Sequence, residues 1–331
     1  MRFASAVVVA ALAAASAAVA GSPTDAPAVV RPVDTDHHAH VHSPEIAAFL
    51  PEYCASPGRI GPCDPAFTEP HTVEDLLREM DEGRVGQAWL MSTGYLAESP
   101  MMVPARPDAP SLVHAANAFT VGLARSHPDR LVAFIGVNPN TPTALSEIAA
   151  WRADPFARGV KIHLTNSGVD LRNPEQVRKL AAVFRAASEA DMSIMIHMRT
   201  RAVDYGAQDV RVFVEQVLPA AGTTPVLIAH AGGWGGLDAV TWDAMETFAA
   251  ILEEKPDAYG NLRFDLAQVF DADTPAADGE RLVALMRRIG IGRYVIGSDW
   301  PFSGPLVEYF GPVFERLPLT PDEQARIRRA R

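Results

Sequence analysis

The stretch RGVKIHLTNSGVDLRNPEQVRKLAAVFRAASEADMSIMIHMR, Arg158–Arg199, decides the fold. It opens on a short apolar run, RGVKIH, that ends in a histidine. A helical pattern follows, NPEQVRKLAAVFRAASEADM, with Asn173 placed as a cap and Pro174 in the first turn. A second apolar run, SIMIHMR, again ends in a histidine. Strand, helix and strand in this order form one βα unit, which joins parallel strands.

The same pattern continues in both directions. Upstream lie VVRPVDTDHHAH, VGQAWLMST and LVAFIGVNP, and downstream PVLIAHAGG, NLRFDLAQV and RYVIGSDWPF. Helical stretches such as HTVEDLLREMDEG, SLVHAANAFTVGLARSHPD and DGERLVALMRRIG separate them. The strands are continuous apolar runs, as strands buried on both faces are. Eight strands alternating with eight helical segments predict a single (β/α)8 TIM barrel. Only the segment between the first strand and about Thr68 reads as a long loop.

His163, His197, His230, Asp265 and Asp299 end successive strands, at separations of 34, 33, 35 and 34 residues. One βα unit spans roughly 30 residues or more. These five side chains are therefore expected at similar heights on neighbouring strands, at the C-terminal face where barrel active sites form. The first strand brings four histidines, His37, His38, His40 and His42, in VDTDHHAHVHSP. Side chains at i and i+2 share a face. His38 and His40 are thus read as facing the lumen and His37 as facing outward. Histidines and aspartates converging on one rim suit a divalent cation. His197 and Asp299 can complete a four-ligand shell that leaves room for water.

With DHHAH, KIH, MIH, AHAGG and GSDWPF in this order, the sequence resembles the amidohydrolase superfamily, and most closely its amidohydrolase-related branch. The resemblance covers roughly Asp34 to Glu315. It implies that His38 and His40 are the paired ligands on the first strand and that His197 is a ligand on the fifth. His230 is then the sixth-strand histidine that assists the chemistry, and Asp299 is both ligand and proton acceptor. Asp36 completes the D-x-H-x-H pattern; a register using His40 and His42 is the alternative. The resemblance implies one divalent ion, with zinc as the expectation, and a second ion if Lys161 is carboxylated. Lys161, His163 and Arg199 are candidates for substrate contact or a second metal, and Asp265 for orienting a ligand or Lys161. The alternative for Lys161 is a lysine paired with Asp265. Trp234, Tyr95, Trp300 and Phe302 are candidate pocket walls.

The activity expected first is metal-dependent hydrolysis of a small lactone, amide or related bond. Non-oxidative decarboxylation of a carboxylated ring is the alternative, and an inactive metal- or ligand-binding barrel is the third. The substrate is a small molecule. With a net charge of −11 in 331 residues, the chain gains nothing from displacing phosphate counterions, which argues against nucleic acid. Self-association into a homo-oligomer is left open.

Residues 1–20 read as a signal peptide: Arg2, the apolar AVVVAALAAASAAVA, and the A-x-A site at Ala18–Ala20. Residues 21–32 read as a Pro-rich linker and 33–331 as the catalytic domain. The apolar run is too short and alanine-rich for a membrane anchor. Export to the periplasm or beyond would let Cys54 and Cys63 form a disulfide. N-terminal sequencing of exported protein should then begin near Gly21, with no free thiol. A retained leader, or two titratable thiols under oxidising conditions, would count against export.

Overall fold

The structure is a computed structural model that describes residues 31–330. The expected signal peptide and nearly all of the expected linker lie outside the described residues. Eight strands form one sheet in sequence order, each parallel to the next: β1 Val33–Ala39, β2 Val85–Met91, β3 Leu131–Val137, β4 Ala157–His163, β5 Ser193–His197, β6 Val226–Ile228, β7 Leu262–Asp265 and β8 Tyr294–Val295. Beyond β8 the chain returns to β1. The amide of His37 donates to Ile296 O, that of Asp299 to His38 O and that of His40 to Trp300 O. The barrel closes along this seam.

Each strand is buried on both faces, which explains why apolar runs rather than alternation mark them. The outward faces meet the surrounding helices through residues such as Ile135, Ile162, Ile196 and Phe184. The interior is filled by Met91, Phe134, Met195, Leu227, Ala229 and Val295. Phe134 fits because its neighbour is Gly159, where a Cβ would stand 2.2 Å from the ring.

Three helices were not legible in the apolar pattern. The expected loop after β1 contains the helix Pro44–Ala55, capped by Ser43, and the short helix Pro65–Thr68. The C-terminal helix Pro321–Arg328 follows a capping box, Thr320 with Glu323. That TPDE signature was a readable start signal. Among the described residues no helix is long and apolar enough to cross a membrane. Cys54 and Cys63 are bonded as expected.

β1 departs from simple alternation. Asp36 pairs with Ala88, but Ala39 pairs with Leu90, so β1 carries one extra residue. Such a bulge re-aims side chains. His37, expected outside, instead packs 4.6 Å from Trp89 at the N-terminal end of the lumen. His38 and His40 turn toward the opposite mouth, and Asp36 turns to the seam. Its carboxylate accepts from His38 N (3.1 Å), Ser298 N (2.9 Å) and Ser298 Oγ (2.6 Å). Burial nevertheless pushes Asp36 up to about 7. Asp36→Ala should cost about 3 kcal/mol by urea denaturation, since it strands three buried donors. Ser298→Ala should cost about half as much; equal losses would mean that Asp36 acts through packing alone.

Candidate metal centre

The rim at the C-terminal face is assembled by chain turns that few residues tolerate. His230 has φ 53°, Gln268 φ 53° and Asp299 φ 62°. These left-handed conformations follow β6, β7 and β8 and fold the chain across the barrel mouth. Each costs on the order of 1 kcal/mol or more in a non-glycine residue, and such outliers gather at functional sites.

Asp299 stands at the centre. Its Oδ1 lies 3.3 Å from His38 Nε2 and 3.1 Å from His40 Nε2, and its Oδ2 lies 4.0 Å from His230 Nε2. The opposite ring nitrogens are held from behind. His38 Nδ1 meets Asp265 Oδ2 at 3.0 Å, His40 Nδ1 meets Met91 O at 3.0 Å, and His230 Nδ1 meets Ala267 O at 2.7 Å. Those contacts place the proton on Nδ1 and leave each Nε2 lone pair facing the rim, which is how imidazole ligands are oriented. Burial first, then neighbouring positive groups, holds His38, His163 and His197 well below the ordinary imidazole range. They are neutral, the form that binds metal. The donor set fits a divalent cation: His38, His40 and Asp299 offer atoms within 4.8 Å of one another.

His197 lies beside this group but outside its tightest part. Its ring is 5.0 Å from that of His230 and stacks on His163 at 3.9 Å, and its buried Nδ1 has no hydrogen-bond partner. It remains the candidate fourth ligand. His163 accepts a backbone hydrogen bond from Asn166, so its position is tied to the loop after β4. His42 lines the same cavity, and its Nδ1 meets Thr93 Oγ1 at 2.8 Å.

Lys161 is not paired with Asp265. Its Nζ donates to His38 Nε2 at 2.8 Å and contacts Met195 Sδ at 3.3 Å. Burial, partly offset by Asp299 and Asp265, lowers it to about 8. Asp265 serves His38 instead, and its other oxygen accepts from the amides of His230 and Ala267. One carboxylate thus joins the first, sixth and seventh strand ends.

Arg199 does not reach the cavity. It is paired with Asp238 at 2.6 Å, on the outer side of the loop after β5. Trp300 is buried behind the rim against His71. Tyr95, Trp234 and Phe302 do line the cavity, whose volume is about 430 Å³. Phe67, Arg59, Asn166 and Gln268 line it too. None of these four stood out in the sequence, because they sit in loops or in four-residue helices too short to show a periodic pattern. A larger cavity of about 860 Å³ at the opposite end of the barrel includes His37 and Trp89 but gathers no comparable ligand group among the described residues.

The sequence matches the family described as Amidohydrolase over residues 33–329. The chain belongs to the amidohydrolase family. It is a metal-dependent enzyme on that family's barrel. Among solved structures, this amidohydrolase is similar to 2,6-dihydroxybenzoate decarboxylase from Rhizobium, at 14% identity and TM-score 0.58, covering 90% of this chain and 97% of that one. It is also similar to 5-carboxyvanillate decarboxylase from Sphingomonas paucimobilis, at 15% identity and TM-score 0.57, covering 89% and 96%. The 5-carboxyvanillate decarboxylase from Novosphingobium aromaticivorans, complexed with manganese and 4-hydroxy-3-methoxy-5-nitrobenzoic acid, gives 14% identity and TM-score 0.60, covering 90% and 94%. At these identities the likeness is one of fold. No curated protein matches the sequence.

Metal content after dialysis tests the assignment. His38→Ala, His40→Ala and His197→Ala should each lose stoichiometric metal, whereas His37→Ala and His42→Ala should keep it. Asp265→Asn should weaken metal affinity by about 10–100-fold through His38. Full retention by His197→Ala would reduce the protein ligands to His38, His40 and Asp299.

Proposed function

We propose that this enzyme removes carbon dioxide, without an oxidant, from a small carboxylated aromatic compound, using one divalent ion. The observation that carries the reading is the shape of the cavity. The rings of Tyr95, Trp234, Phe67 and Phe302 wall a space of about 430 Å³ directly over the His38–His40–Asp299 rim. That space suits one substituted ring held flat, with its polar substituents toward the His38–His40–Asp299 rim. The decarboxylases of similar fold act on substituted benzoates, by their names.

When bound, the metal supplies the positive charge that holds the substrate's oxygens. Zinc is our expectation from the imidazole-rich ligand set, although the Novosphingobium complex contains manganese. The chain's own residues do the rest. The stacked pair His163–His197, with Trp234 against both, fixes the plane in which a ring can lie. The bond to the carboxyl carbon breaks, its electron pair stays on the ring carbon, carbon dioxide leaves and a proton drawn from solvent water takes its place. His230 and Asp299 stand together where that proton must be carried.

Hydrolysis is the second reading, and one observation favours it. Burial raises Asp299, but its close contact with His40, and then His230 and Lys161 nearby, outweigh this, so its carboxyl sits below its ordinary range. An ionised carboxylate at the rim can accept a proton from water. We also place the enzyme outside the cytoplasm. The Cys54–Cys63 bond supports this, because such bonds persist in oxidising compartments.

Metal-loaded protein should release carbon dioxide from 2,6-dihydroxybenzoate or 5-carboxyvanillate, or from a related acid in a panel of hydroxylated benzoates. His230→Asn should keep its metal and lose about 10²–10⁴-fold in rate. Turnover of lactones or amides with no carbon dioxide from any acid would transfer the assignment to hydrolysis.

A further inference from the structure

The loop between the helices Pro44–Ala55 and Pro65–Thr68 forms one wall of the cavity. Arg59, Pro62, Cys63 and Asp64 all line it. Arg59 and Lys161 are the two cationic side chains there, and Lys161 is buried and engaged with His38. Arg59 lies with its guanidinium 4.9 Å above the Tyr53 ring, and its buried Nε has no hydrogen-bond partner. Its backbone amide donates to Ser56 O at 3.1 Å, but among the described residues the guanidinium makes one hydrogen bond, a long contact of 3.5 Å from a terminal nitrogen to Pro62 O. Among the described residues it has no carboxylate partner.

The two legs of this loop are held very differently. The first is anchored by Ser56, whose Oγ donates to Met101 O and accepts from Val103 N. The second leg, residues 60–62, is exposed, and Ile60 is 67% exposed. It adds no side chain to the core. Among the described residues, its tie to the body besides the Arg59–Pro62 contact is the bond from Cys63 to Cys54 on the helix Pro44–Ala55.

We propose that the Cys54–Cys63 disulfide is a positioning element of the substrate site. It holds the loop so that Arg59 presents its guanidinium to an anionic group of the substrate, on the side of the cavity away from the metal rim. A guanidinium on an aromatic face with unused donors is prepared for a carboxylate, and Arg offers two parallel hydrogen bonds to one. Reduction removes the covalent tie and enlarges the set of loop conformations, so the cost of ordering Arg59 falls on the ligand. The enzyme thereby grips anionic substrate in an oxidising compartment and loses that grip in a reducing one. The inference rests on the reading of this cavity as a site for an aromatic acid.

The test uses equilibrium binding, which needs no turnover. Benzoate and its neutral counterpart benzamide are titrated by calorimetry into metal-loaded protein. Oxidised wild type should bind benzoate more tightly. The Cys54→Ser/Cys63→Ser protein, and wild type treated with a phosphine reductant, should lose benzoate affinity by about tenfold or more, the loss expected of a charge-assisted hydrogen bond. Benzamide affinity should change less than about twofold on the same scale. Arg59→Met should show the same loss while oxidised and no further loss on reduction. Absence of benzoate binding to oxidised wild type, equal loss of both probes, or a full redox effect in Arg59→Met would each overturn the proposal. Redox-dependent benzoate binding without carbon dioxide release from any acid would overturn the decarboxylase reading and leave this one standing.

Discussion

The carboxylate of Asp36 joins the first strand of the barrel to the last. It is fully buried and accepts from Ser298 twice and from the amide of His38. Closing a barrel requires the two chain-distant edges to meet in one register. Here the seam is also the place where the paired histidines and Asp299 come together. Ser298 Oγ in addition bonds His38 O and receives the amide of Trp300. The hydrogen bonds that fix the seam therefore fix the height of His38 relative to Asp299. A slip of one residue would turn His38 away from Asp299.

A second constraint is the treatment of charge. His38, His40, His163, His197 and His230 crowd one small rim with Lys161, Asp265 and Asp299, and burial penalises every charge they carry. Burial holds His38, His163 and His197 well below the ordinary imidazole range, and His38, His40 and His230 are each pinned by a carbonyl or carboxylate at Nδ1. The remaining nitrogens point at Asp299, whose charge has three partners. Lys161 is the exception, a buried amine that leans on His38. Such a site is costly without a cation and favourable with one, so the strained turns at His230 and Asp299 are maintained where a ligand can repay them.

The residues outside the barrel strands do a different job. The strand ends provide ligands and proton carriers, held by many hydrogen bonds. The walls come from loops of several origins: Phe67 and Arg59 before β2, Tyr95 after it, Trp234 after β6 and Phe302 after β8. In barrels the rim carries the chemistry and the loops select the substrate. A disulfide in one of those loops supplies rigidity where little apolar surface is buried.

The sequence by itself determined the strands, their order and the ligand-bearing ends. Apolar runs at βα spacing leave few alternatives to a parallel barrel, and equal spacing puts His163, His197, His230, Asp265 and Asp299 at one height. The family pattern added His38, His40 and the companion Asp36. Only the tertiary structure decided what depends on contacts between distant segments. The bulge in β1 sent His37 to the far end of the lumen, a shift of one residue that alternation alone does not reveal. Arg199 was drawn to Asp238 and left the cavity, while Arg59 entered it from an aperiodic loop. Asp265 chose His38 rather than Lys161. Local pattern reports which face an element buries, because burial is paid for residue by residue. Which polar partner a side chain meets across the barrel depends on closure of the sheet, and that is settled only once all eight strands are in register.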